Sequence, residues 1–164
     1  MRTWAKYNFE WTSNIRPELD DDGKILAFTP HTQYQNPQGL ALNAYGEGPF
    51  CKFRISEAHH EEGVYILTLD ATATYVGECL SLATRFNSGY GSISPRNCYE
   101  QGQTTICGIN HLIYQAAQAG QKIEVWFLRT PNRKVVQKEL IEALKPLWNR
   151  KGYPAAQVKK TKAK

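Results

Sequence analysis

The chain lacks the features that mark several common protein classes. Nowhere in its 164 residues is there an apolar run approaching the roughly 18 residues a membrane helix needs, and the opening MRTWAKYNFEW has no signal-peptide apolar stretch. A cytoplasmic location is the expectation, with no membrane partner. No two of the four cysteines (Cys51, Cys79, Cys98 and Cys107) stand in C-x-x-C spacing, so neither a zinc ribbon nor a thioredoxin-like motif is supported. Cys98, Cys107 and His111 could in principle gather a metal, but free thiols in a reduced compartment are the simpler expectation. Internal repeats and low-complexity segments are absent. The length suits one domain with an extension rather than two domains.

What is present is ordinary for a globular chain: 41% hydrophobic residues and 21% charged ones, enough to build a core. The net charge of +5 is compatible with a nucleic-acid partner without requiring one. Its densest basic run, KKTKAK, ends a tail over residues 153–164 and reads as a solvated terminus.

Two regions differ in texture. Residues 1–58 are rich in aromatics, proline, asparagine and glycine, with short apolar runs at 25–28, 40–42 and 50–55. Short strands and long loops are expected there, with Asp20, Asp21 and Asp22 before Gly23 forming a turn. From residue 59 the signals sharpen. GVYILTL and TATYVG read as strands joined by a turn at Asp70. ECLSLATRFNS reads as a helix with Leu80, Leu82, Ala83 and Phe86 as its apolar members. A polar loop over 89–103 precedes a second helix carrying Ile109, Leu112, Ile113 and Ala116 and stopped by Gly120. KIEVWFLRT alternates as a strand, and a closing helix cannot pass Pro146.

Within this order, Gly63-Val64-Tyr65 and then Tyr75-Val76-Gly77 resemble the paired signature of the GIY-YIG nucleases. Arg85 falls on the helix after the second motif, and Pro146-Leu147-Trp148-Asn149 is similar to the family's P-x-W/Y-N ending. Tyr65 and Tyr75 alone would pass as cross-strand aromatic partners; together with the other positions they are harder to dismiss. The resemblance covers roughly residues 60–150. It implies a small α/β domain over 59–152, a three-stranded antiparallel sheet flanked by helices, with residues 1–58 as a loop- and strand-rich extension.

The resemblance also implies a chemistry, phosphodiester hydrolysis in double-stranded DNA. Tyr65 would be the general base, a poor one unless cationic neighbours favour its ionised form. Tyr75 would bond the phosphate or the water, and Arg85 offers a planar fork for phosphate oxygens. Asn149 would fix the helix end or the site geometry. One Mg²⁺ or Mn²⁺ per active site would be held by a single glutamate on the closing helix. Counting back twelve residues from Asn149 gives Gln137, not a glutamate. On a helix, Val136, Leu140, Ile141, Leu144 and Trp148 mark the buried side, with Gln137 about 45° from its centre. Glu139 and Glu142 should face solvent. An amide is a far weaker ligand for a hard cation, so this copy is expected to bind DNA and cut it poorly or not at all. Either it is an engineered inactive variant or a natural non-cutting relative.

Arg96, Asn97, Tyr99 and Gln103 on the polar loop, with His111 beyond it, are candidate DNA contacts, because arginine and amide side chains suit base edges and phosphates. A loop folded on itself by side-chain-to-backbone bonds is the alternative. Residues 1–58, with Trp4, Trp11, Arg16, His31 and Gln33, would help clamp the duplex. The resulting reading is a stand-alone type II restriction endonuclease, for which a palindromic site would call for a homodimer or for sequential nicking by monomers. A structure-specific or phage-type nuclease of the same family, or a non-cleaving DNA-binding relative, are the alternatives.

Overall fold

The computed structural model describes residues 1–154 except Tyr34 and Pro37; the KKTKAK run lies outside the described residues. Five strands form one antiparallel sheet: β1 (Arg2–Trp4), β2 (Tyr7–Asn14), β3 (Gly63–Leu69), β4 (Thr72–Cys79) and β5 (Ile123–Arg129). Their order across the sheet is β1-β2-β5-β3-β4. The expected three-stranded sheet is therefore corrected to five. β2 pairs with the side of β5 that β3 leaves free, with Glu10 opposite Phe127 and Asn14 opposite Glu124. That pairing spans more than a hundred residues of chain, so no local pattern signals it.

β3 sits between β4 and β5 and is buried on both faces, which explains its nearly unbroken apolar run GVYILTL. The two-residue turn into β4 holds Asp70 at φ 47° and Ala71 at φ 70°. Positive φ at both positions is what a tight hairpin of the right twist demands, and aspartate tolerates it well. Side chains then alternate between two layers. Tyr65, Leu67, Tyr75, Cys79, Val125 and Phe127 face one core; Val64, Ile66 and Val76 face the other with Trp4 and Phe9.

The first core is covered by α1 (Leu82–Arg85) and α2 (Thr104–Gln118). α1 is shorter than its sequence suggests. Ser81 caps it, leaving Leu80 outside and 67% exposed, and after Arg85 the chain widens into a π turn at Phe86–Tyr90. Segment 50–55 packs into this same core through Phe50, Cys51, Phe53 and Ile55. Two buried asparagines hold it there. Asn110 of α2 accepts from Cys51 N and donates to Cys51 O; Asn87 does the same for the backbone of Ile55.

The second core is covered by α3 (Arg133–Leu144) through Val136 and Leu140. The helix stops at Lys145, which adopts a left-handed conformation before Pro146. Trp148 therefore does not extend the Val136–Leu140 stripe, against the expectation from helical counting. It lies on a 3₁₀ turn (Leu147–Asn149) and enters the core on the tyrosine side.

Candidate active site

The two signature glycines have a steric reason. A Cβ on Gly77 would lie 2.2 Å from the ring and hydroxyl of Tyr65, and one on Gly63 would lie 2.2 Å from the Leu128 carbonyl oxygen. Gly77 thus makes room on β4 for the phenol of β3 across the pair Tyr65–Gly77. Tyr65 and Tyr75 lie with ring centroids 6.1 Å apart, and Phe86 meets Tyr65 edge-on at 5.1 Å. A third phenol, missed in the sequence, completes the group: Tyr90 Oη lies 2.6 Å from Tyr65 Oη. The π turn that delivers it is not visible as a sequence period.

Arg85 reaches this cluster from the end of α1 and is only half-buried, whereas all three phenols are buried. It forms no ion pair with a carboxylate among the described residues. Burial pushes the Tyr65 hydroxyl well above the ordinary tyrosine value, with Tyr90 and Tyr75 adding to the rise and the Arg85 guanidinium opposing it. Tyr75 is raised likewise, chiefly by burial. Burial also pushes the Cys79 thiol up to about 11, again against the pull of Arg85.

A cleft of about 310 Å³ opens at Arg85, lined by Cys79, Ser81, Ser88, Asn97 and Gln103 among others. Tyr65 and Tyr75 do not line it; Arg85 and Cys79 are the lining residues that face the phenol cluster. Two of the five expected DNA-contact residues are thus brought beside Arg85. Asn97 also accepts from Gln103 N through Oδ1, and its carbonyl accepts from Asn43 Nδ2 and the Cys107 thiol. Arg96 is exposed on the same short turn. Tyr99 and His111 point elsewhere: Tyr99 donates to the His31 carbonyl, and His111 Nδ1 meets the Pro49 carbonyl while its ring stacks on Tyr114. Of the N-terminal candidates, Trp4 is buried in the second core, whereas Trp11, Arg16 and Gln33 are exposed.

Asn149 stands apart from the phenols. Its Oδ1 accepts from Val76 N and its Nδ2 donates to Val76 O, at 2.8 and 3.0 Å. An amide is the side chain that offers donor and acceptor at that spacing. It ties the 3₁₀ turn that follows α3 to β4.

Gln137 is half-buried on α3 and forms no hydrogen bond among the described residues. Because α3 covers the face opposite the tyrosines, a side chain at 137 can reach their side only around the edge of β4. One turn earlier, Arg133 pairs with Glu78 of β4 and with Glu62. Glu139 keeps a solvent-exposed side chain, as expected, and there accepts from Tyr7 and pairs with Lys6, because β2 brings Tyr7 up against α3. Glu142 is exposed. No group of three or more His, Cys, Asp or Glu suited to a metal occurs among the described residues. With a neutral amide at 137 and the nearby carboxylates engaged by Arg133, the residues present do not fit Mg²⁺ or Mn²⁺. Zinc at Cys98, Cys107 and His111 is likewise unsupported: both thiols are free and buried, Cys98 donates to the Ser94 carbonyl and Cys107 to that of Asn97, and His111 faces the Pro49 carbonyl.

A hairpin carrying two tyrosines, an arginine on the next helix and a closing helix tied to the hairpin edge are consistent with an α/β fold of GIY-YIG type, enlarged by two N-terminal strands. No family model matches the chain, and no curated protein does. Among solved structures it is similar to a glutamate-to-alanine mutant of bacteriophage T4 EndoII, with TM-score 0.56 and 17% identity over 87% of this chain and 92% of that one. The likeness is one of fold.

Proposed function

We propose that this chain is an endonuclease domain acting on double-stranded DNA, with its cutting weakened by the amide at position 137. The observation that carries the reading is Arg85: a half-buried guanidinium without a carboxylate partner among the described residues, beside three phenols and lining a cleft. Such a group is set to receive an anion, and a backbone phosphate matches its fork. Tyr65, through its cluster with Arg85, takes the proton of the attacking water. Asn97, Gln103 and Arg96 lie where they can meet the strand beyond the scissile phosphate. Asn149 holds β4, and with it Tyr75, against the closing helix. Residues 1–58 contribute to the clamp through the exposed Trp11, Arg16 and Gln33.

Two finer readings divide this proposal. A stand-alone type II restriction enzyme is one, dimeric on a palindromic site. The phage-type alternative with looser sequence preference gains from the likeness to bacteriophage T4 EndoII over most of both chains. Digestion of a sequenced plasmid by the Gln137→Glu protein with Mg²⁺ separates them. Discrete fragments support the restriction reading and dispersed cutting the phage-type one. If the restored protein binds DNA but leaves it intact with either Mg²⁺ or Mn²⁺, the nuclease reading fails and a binding module remains.

A further inference from the structure

Leu80 is a leucine that the fold holds in the open. It follows the buried Cys79 of β4, is 67% exposed, and lines the cleft at Arg85. Its place is fixed from behind. Ser81 is extended and accepts from Thr84 N at 3.3 Å, and Ala83 N donates to the His59 carbonyl at 2.8 Å. Most of the Leu80 side chain thus stays in water, although burying it is favourable. Ile106 of α2 lines the same cleft and is only 7% exposed, so a group that touches it must enter.

The amides of the cleft are held through the backbone. Gly102 has no room for a Cβ against the Arg96 carbonyl, at 2.6 Å, or against Asn97, so the loop closes tightly there. The Asn97 carbonyl accepts from Asn43 Nδ2 at 2.6 Å and from the Cys107 thiol at 3.1 Å, and Asn97 Oδ1 accepts from Gln103 N at 3.3 Å. Asn97 Nδ2 remains as a donor, and the Gln103 side chain as donor and acceptor, without partners among the described residues.

The cleft therefore joins one cation, two aliphatic side chains and two amides in about 310 Å³, and no carboxylate lines it. That volume lies near the lower end of small-ligand sites, roughly 300–1,000 Å³. A phosphate alone satisfies only Arg85. In a stacked duplex the bases turn inward from the backbone, so a phosphate on Arg85 would leave Ile106 and both amides with no base to meet. An unstacked nucleotide supplies every partner: phosphate for the guanidinium, a ring face for the aliphatic groups, and an edge of donors and acceptors for the amides.

We propose that the cleft at Arg85 binds one deoxynucleotide displaced from the stack, so that the DNA favoured by this chain is duplex with an unpaired or easily unstacked base. The inference rests on the reading of Arg85 as a phosphate site. Leu80 packs on the displaced base, as apolar side chains do where proteins unstack a base step. Asn97 and Gln103 hold the base edge. Displacing a base costs least where pairing is already absent, so the site selects the form of the substrate without reading a groove.

The test needs no cleavage. The unaltered chain is titrated with thymidine 3′,5′-bisphosphate and, separately, with inorganic phosphate, while NMR follows its methyl, side-chain amide and arginine Nε–H signals. Both ligands should shift Arg85. Only the nucleotide should shift the Leu80 and Ile106 methyls and the Asn97 and Gln103 amides, with a Kd about tenfold below that of phosphate. Among short duplexes, one with a single unpaired base should bind about tenfold tighter than its fully paired counterpart, and Leu80→Ser, at an exposed position, should remove most of that preference. Equal affinity for the two duplexes, a preference unchanged in Leu80→Ser, or silent Leu80 and Ile106 methyls while phosphate shifts Arg85 overturns the inference and leaves the phosphate reading standing. No response of Arg85 to either ligand removes both. Failure of the Gln137→Glu chain to cut DNA removes the nuclease reading alone.

Discussion

Asn149 shows how much a single side chain can fix. It satisfies both backbone groups of Val76, so Asn149→Asp keeps the size but replaces the donor with a second acceptor facing a carbonyl. Losing such a bond leaves partly buried groups unpaired, a cost of about 1–3 kcal/mol. A lowered urea midpoint is the expected outcome, with binding of short duplexes weakened less than folding. The tyrosines make a second prediction at this scale. Tyr65, Tyr75 and Tyr90 are all raised in the fold, whereas in the unfolded chain they ionise near about pH 10. Their contribution to stability is therefore complete below about pH 10 and is lost as the pH rises through the folded values. Urea midpoints measured across the alkaline range should hold to about pH 9 and then fall, less steeply in Tyr75→Phe. Most of these residues are legible in the sequence because motif spacing exposes them. Tyr90 is not: it is one more aromatic in a glycine-rich stretch until the π turn rotates it inward.

At the scale of elements, periodicity locates β3, β4, β5, α2 and α3, since each carries enough apolar residues to show its repeat. It fails where an element owes its form to a distant partner. β2 (YNFEWTSN) has little strand pattern of its own and is ordered by the free side of β5. Apolar spacing alone extends α1 back to Leu80, but the Ser81 cap starts it at Leu82. Helical counting puts Trp148 on the α3 stripe, and the left-handed Lys145 breaks the phase that such counting carries straight through. The segment 50–55 is the clearest case. Its strand-like runs never join the sheet; Asn87 and Asn110 supply the partners a neighbouring strand would have given. Asn87→Ala should unpair both backbone groups of Ile55 and expose this segment. Limited proteolysis should then cut between residues 50 and 62 faster than in the parent, while β3, β4 and β5 stay protected.

For the whole molecule, charge is distributed unevenly. Of the surplus of +5, the four lysines Lys159, Lys160, Lys162 and Lys164 supply four, and no acidic residue accompanies them. The rest of the chain is nearly neutral, with acids at Asp20, Asp21 and Asp22, before and along the hairpin at Glu61, Glu62 and Glu78, and on α3. Affinity for DNA that rests on phosphate contacts falls with salt in proportion to the cations engaged. Removing residues 155–164 should flatten the plot of log affinity against log salt, by a slope of up to about 3.6 units at about 0.9 per cation. Titrations of a fluorescent duplex from low to moderate salt measure it. An unchanged slope would mark the tail as a bystander and leave Arg85, Arg96 and Arg16 to carry the contact. The amide of Asn149 has a consequence at this scale too. Among the described strands β4 is an outer one, paired with β3 on one side, and an outer strand ordinarily offers its backbone to any strand that drifts alongside. By occupying Val76, the closing turn plugs that rail near its middle and bars a second molecule from continuing the sheet there. A second copy would have to dock through some surface other than this stretch of the rim.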